Sequence, residues 1–208
     1  AWYTDWSMDD PLTTLLHPLG PLIEIEGEVP LPNGATLGFR ADRIVEHNGA
    51  LWVLDHKTTE TTISNDYFAR FGTAEQVSAY TWAVGKWLNR PVAGFIIDAI
   101  QVYAEGFRFM RGVATRTPAQ LDEWLRDTQL AIAAVERSEN ADYFPMNTAA
   151  CSVYGKCLFR DSVCSRAPHV REAFLASHYV KKTVDVVAGV AVVCSPTAEM
   201  GETNDTAL

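Results

Sequence analysis

The sequence predicts an α/β fold: a mixed sheet containing an antiparallel meander, helices on its faces, and a C-terminal Cys-bearing segment. Three observations lead there. Residues 21–55 hold three segments of strand period separated by Asn-Gly dipeptides. A strongly apolar strand pair spans 94–114. Helical stretches at 73–88 and 117–138 flank that pair.

Taken in order, Pro21–Val29 alternates Glu24, Glu26 and Glu28 with apolar residues, the period of a half-buried strand whose glutamates face solvent. Asn33-Gly34 marks a hairpin turn, and a second strand runs from Thr36 to Glu46. Asn48-Gly49 is another such turn, and Leu51–Asp55 is the third strand. The polar stretch Thr58–Asn65 reads as a loop. Thr73 is a candidate cap for a helix running to Leu88, with Gln76 at the capping-box position. Gly94–Tyr103 and Phe107–Ala114 are strands joined by a tight turn. Thr117 caps the next helix, Pro118 occupies its first position, and Leu121, Leu125, Ile132 and Val135 form its apolar side. Residues 140–168 are irregular, and a last helix is expected over 167–180. The tail after Thr183 is expected to be loosely ordered or an unpaired β-prone segment. This divides the chain into an N-terminal remnant (1–20), a core (21–140), a Cys-rich segment with the last helix (141–180) and a tail (181–208).

The 208 residues are 48% hydrophobic and 21% charged, a globular composition. No apolar run reaches the ~18 residues that would span a bilayer. The first residues lack the basic and apolar regions of a signal peptide, which points to the cytoplasm. The chain starts at Ala1 without Met, so a preceding segment is expected. The net charge is −9, but residues 1–74 carry −7, 75–182 carry +2 and 183–208 carry −4. The acidity is therefore local and leaves a nucleic-acid partner open.

The Asn48-Gly49 turn sets a register. If His47 pairs with Ala50, paired positions sum to 97, and Asp42 then faces Asp55. Lys57, two residues on, shares the face of Asp55. Two facing carboxylates repel, and a hard divalent cation removes the conflict. With an adjacent lysine, such a pair is the minimal kit for metal-assisted phosphodiester hydrolysis. The alternative is a solvent-facing pair neutralised by Lys57.

Gly38-Phe-Arg-Ala-Asp42, then Leu54-Asp-His-Lys-Thr-Thr59, then Gln76-Val-Ser-Ala-Tyr80 resembles the RecB-like branch of the PD-(D/E)XK nuclease superfamily, which includes CRISPR adaptation nucleases and many phage exonucleases. The resemblance covers about residues 22–166. It implies a restriction-endonuclease-like fold and a DNA exonuclease using Mg²⁺ or Mn²⁺, in a prokaryote or phage-infected host. Asp42, Asp55 and the backbone carbonyl of His56 would be metal ligands, with the His56 side chain on the opposite face. Lys57 would be the catalytic lysine. Gln76 and Tyr80, one turn apart, would serve the active site or the DNA strand. The branch also carries a histidine on a helix before the first strand. His17 does not match it, so that helix is expected upstream of Ala1, with Glu24, Glu26 or Glu28 as partial substitutes.

The cysteines are Cys151, Cys157, Cys164 and Cys194. A secreted disulfide framework would scatter them, and the gaps of five and six residues fit zinc poorly. Iron–sulfur clusters need four thiolates and tolerate varied gaps. The resemblance implies a 4Fe–4S staple on Cys151, Cys157 and Cys164, with the fourth ligand upstream or at Cys194. A second functional class also fits: a non-catalytic nucleic-acid-binding module of the same fold with a structural iron–sulfur or zinc site.

Overall fold

The computed structural model describes residues 10–153, 155, 157–181 and 194–196. The chain divides into two units, Ala1–Asp142 and Tyr143–Leu208.

The first unit is built on a six-stranded mixed sheet. Short pieces β1 (Thr13–Thr14), β2 (Leu16–His17) and β3 (Gly20–Pro21) lead into β4 (Ile23–Pro30), β5 (Thr36–His47) and β6 (Ala50–Thr59). Two helical turns follow, α1 (Asn65–Ala69) continued by a 3₁₀ turn, and then helix α2 (Glu75–Leu88). Strands β7 (Val92–Tyr103) and β8 (Gly106–Ala114) and helix α3 (Pro118–Asn140) complete the unit. β1 and β4 share one edge of β5, and the order continues β5-β6-β7-β8. Among the described strands only β6 and β7 run parallel, with α2 in the crossover between them.

Both expected Asn-Gly positions are turns, of different kinds. Asn48 and Gly49 have φ of 52° and 75°, the double left-handed geometry of a two-residue hairpin, and His47 pairs with Ala50. Asn33-Gly34 lies in a longer loop, closed by Leu31 N–H donating to the Ala35 carbonyl. β6 extends past the expected end at Asp55, through residues expected to be loop, because β7 pairs alongside it as far as Thr59 with Gln101. The capping box expected at Thr73 does not form. Helix α2 starts at Glu75 behind Ala74, whose side chain makes no capping bond. At α3 the expectation holds: the Thr117 hydroxyl caps Gln120 N–H, and the Gln120 side chain returns to Thr117 N–H.

One sheet face buries Ile44, Val53, Phe95 and Ile97 against Val77, Ala83 and Val84 of α2 and against Tyr67 and Phe71. Each fully buried aliphatic or aromatic side chain contributes about 1.5–3 kcal/mol. The other face holds a smaller cluster of Leu12, Val45, Leu54 and Ile96, with Trp52 beside it. Central strand β7 is buried from Gly94 to Ala99, on both faces, which explains its near-continuous apolar run. Helix α3 has no buried residue, so its expected apolar side is only partly covered, and Trp124 meets Trp82 of α2 at 6.0 Å.

Gly94 is a packing requirement. A Cβ there would lie 2.7 Å from the Ala114 carbonyl oxygen and 3.1 Å from the Trp52 ring. Gly94→Ala is expected to cost about 1–3 kcal/mol, read as a lower midpoint in chemical denaturation.

The second unit contains a 3₁₀ turn (Thr148–Ser152), a π turn (Arg160–Cys164), helix α4 (Pro168–His178) and the strand pair β9 (Tyr179–Lys181) and β10 (Cys194–Pro196). Phe159 and Phe174 pack against Tyr179, and Arg171 donates to the Arg166 and Cys164 carbonyls. The expected tail lies outside the described residues, apart from β10.

Candidate active site

The sum-97 register holds from His47–Ala50 through Arg43–Leu54. Asp42 and Asp55 occupy the next position, where the β5–β6 ladder stops. There the Asp42 side chain replaces a strand partner: its Oδ2 accepts the His56 backbone N–H at 2.9 Å. Asp55 is 6% exposed and shares its face with Val53 and the α2-side core. Its Oδ2 is 2.7 Å from Lys57 Nζ, and its Oδ1 accepts from Gln76 Nε2 at 3.0 Å. Gln76 is therefore bound to Asp55, and it closes no capping box because, with Ala74 as the cap, it occupies the second helical position.

Burial pushes the Asp55 carboxyl above the ordinary carboxylate range. Lys57 opposes that push, and the nearby charge of Asp42 adds to it. The sign for stability follows. With its pKa raised in the folded state, the protonated carboxyl favours folding, and this contribution is lost as pH rises through the folded value. The ionised form of Asp55 is therefore less favoured in the folded protein than the protonated one. Asp55→Asn is expected to raise the melting temperature at pH 7, with the gain shrinking toward the ordinary aspartate pKa near 3.9. A thermal series across pH checks it.

Tyr80, one turn after Gln76, donates its hydroxyl to the Arg40 carbonyl at 2.6 Å and stacks on Phe95. It ties α2 to β5 two residues before Asp42. Glu24, Glu26 and Glu28 are exposed, as expected of solvent-facing strand residues, and Glu24 pairs with Arg40 at 3.0 Å. His17 lies in β2, against Trp87.

The His56 ring projects to the face opposite Asp55. Its Nδ1 lies 3.7 Å from Asp42 Oδ2 and its Nε2 lies 3.7 Å from Asp98 Oδ2. Asp98, the partner of His56 in the parallel register, has no exposed surface. Arg111 donates to Asp98 at 3.0 Å and to both oxygens of Asp10 at 2.6 and 2.8 Å. Burial opposes the Arg111 charge, but the two carboxylates outweigh it and push the guanidinium pKa up. Burial also opposes the Asp10 charge, and Arg111 with the Leu12 N–H holds that carboxyl below its ordinary range. Sequence reasoning passed over Asp98, Arg111 and Asp10. The signal was one aspartate inside the apolar run Phe95–Ile100.

Cys151, Cys157 and Cys164 are free and half-buried in the second unit. Among the described residues no group of three or more His, Cys, Asp or Glu side chains converges as a metal site. The Asp42–Asp55 pair supplies two carboxylates, and the three cysteines are not gathered on one point. Among the described residues no helix is long and apolar enough to cross a membrane.

No curated protein matches the chain. The crystal structure of SSO0001 is similar over 52% of this chain, at 15% identity and a TM-score of 0.33. The match spans about half of that chain, 49%. Residues 13–165 match the PD-(D/E)XK nuclease superfamily, a stretch that contains the whole sheet and the Asp42, Asp55 and Lys57 positions. Mixed sheet, crossover helix and matched residues together establish that the chain belongs to the PD-(D/E)XK nuclease superfamily.

Proposed function

We propose that this nuclease-superfamily chain is a divalent-metal-dependent deoxyribonuclease, an exonuclease of the RecB-like branch. The observation that carries the reading is the buried Asp55 carboxylate, gripped by Lys57 and Gln76 at the point within β6 where the β5–β6 ladder stops beside Asp42. A carboxylate held in this way beside a second one suits a cation better than it suits the bare protein.

The donor set fits Mg²⁺ or Mn²⁺, since Asp42, Asp55 and the His56 backbone carbonyl offer only oxygen. Within a strand, the N–H and C=O of one residue point to the same side. The His56 N–H points at Asp42, so its carbonyl faces the same gap. When bound, the metal polarises a phosphoryl oxygen and lowers the pKa of a water molecule. Lys57 is placed to hold the attacking water or a phosphoryl oxygen by a charge-assisted hydrogen bond. Gln76 holds the Asp55 carboxylate in one rotamer, and Tyr80 fixes the helix that carries Gln76. Cys151, Cys157 and Cys164 belong to the same proposal as ligands of a 4Fe–4S staple, with no part in the chemistry.

The test is nucleotide release from linear DNA with Mg²⁺ or Mn²⁺, against chelator and against closed circular DNA. Release from linear DNA alone, lost with chelator, supports the reading. Equal cutting of circles removes the exonuclease assignment, and activity without a divalent cation removes the metal. For the staple, iron with acid-labile sulfide in anaerobically purified protein supports it, and zinc or no metal overturns it.

A further inference from the structure

We infer that the His56 ring and Asp98 form a positioning relay for Asp42, setting how well that carboxylate receives a divalent cation. The inference rests on the reading of Asp42 as a metal ligand. It adds two side chains on the sheet face opposite Lys57.

The contacts run in one chain. The His56 backbone N–H and the His56 ring both address the same oxygen of Asp42, at 2.9 and 3.7 Å. Both contacts fall on Oδ2 and leave Oδ1 outside the His56 contacts. The ring in turn lies within ion-pair range of Asp98, at 3.7 Å. Asp98 cannot drift, because it is fully buried in the central strand and bound to Arg111. Arg111 is anchored by both oxygens of Asp10, and Arg43 approaches Asp10 at 3.8 Å. His56 is thus held between a rigid buried carboxylate and a half-exposed one.

Burying Asp98 and Arg111 gives no clear gain in stability, because desolvation offsets their attraction. A fixed charge behind an imidazole that addresses a metal-binding carboxylate has a use, however. Groups in this position orient metal ligands, and their loss typically lowers metal affinity or activity 10–100-fold. The parallel register supplies the alignment, since His56 pairs with Asp98 and their side chains share a face.

The test is direct Mn²⁺ binding to the full chain without DNA, by titration calorimetry, with thermal unfolding measured alongside. Wild type is compared with Asp42→Ala, His56→Phe, His56→Gln and Asp98→Asn. His56→Phe is expected to weaken Mn²⁺ binding about 10–100-fold. The His56 side chain is about one-third exposed, so its melting temperature should stay within about 2 °C of wild type. His56→Gln, which keeps a donor, should fall between. Where Asp98→Asn folds, the double variant with His56→Phe should bind no more weakly than His56→Phe alone, because both break one relay. A folded His56→Phe protein that binds Mn²⁺ as wild type does, while Asp42→Ala loses it, overturns the relay alone. Wild type without Mn²⁺ binding, or Asp42→Ala with undiminished binding, overturns the metal-site reading and the relay with it.

Discussion

Replacing Asp55 by alanine is expected to lower metal-dependent cleavage of linear DNA by more than about 100-fold, beyond the usual cost of an outer-shell loss. DNA affinity should change little. Asp55 is 6% exposed and bound to Lys57 and Gln76, so in the proposed function it would hold a cation and not meet a phosphate. Its removal also releases Lys57, whose ammonium sits 2.7 Å from the carboxylate. Lys57→Ala should therefore lower kcat more than it raises KM, the pattern of a group that acts in the transition state. Steady-state cleavage and a DNA-binding titration on the same preparations separate the two effects. Undiminished cleavage by Asp55→Ala, where wild type is active, would contradict the assignment.

Arg111→Met should give the largest loss of stability. The guanidinium is shared by Asp98, which has no exposed surface, and Asp10, whose side chain is 9% exposed. Methionine keeps much of the volume and removes the charge, leaving two carboxylates in a low-dielectric region. Breaking a buried pair from one side costs about 3–5 kcal/mol. At the size of this chain that lowers the melting temperature by roughly 6–20 °C. Adding Asp98→Asn to Arg111→Met should recover part of the loss, since the amide carries no charge to strand. A double-mutant cycle in chemical denaturation measures the coupling. Additive losses would mean that the two residues do not act as a pair.

How far the sequence could be read is clearest at two turns. The Asn48-Gly49 dipeptide dictates a two-residue hairpin, and from it the register brings Asp42 level with Asp55. The same arithmetic applies to the β7–β8 hairpin. There Tyr103 pairs with Gly106, so paired positions sum to 209, and Asp98 faces Arg111. That pairing was not legible beforehand, because Ala104-Glu105 is not a diagnostic turn dipeptide and no local feature fixed the loop at two residues. Thr73 and Gln76 show the opposite failure. Their spacing satisfies a capping box, but with Ala74 as the cap Gln76 occupies the second helical position and binds a buried carboxylate 3.0 Å away.

By itself the sequence determined the long strands β4, β5, β7 and β8, helix α3 with its capped start, and the face shared by Asp55 and Lys57. These depend on period, propensity and turn chemistry, which act over a few residues. Only the tertiary structure decided that β6 runs on to Thr59, that Gln76 serves Asp55, and that His56 lies between Asp42 and Asp98. Each of these depends on β7 lying parallel to β6 after a crossover of more than thirty residues. No local pattern encodes which strand will lie alongside after so long an excursion. That choice rests on burial of β7 on both faces, which also sets Asp98 beside His56 and Arg111.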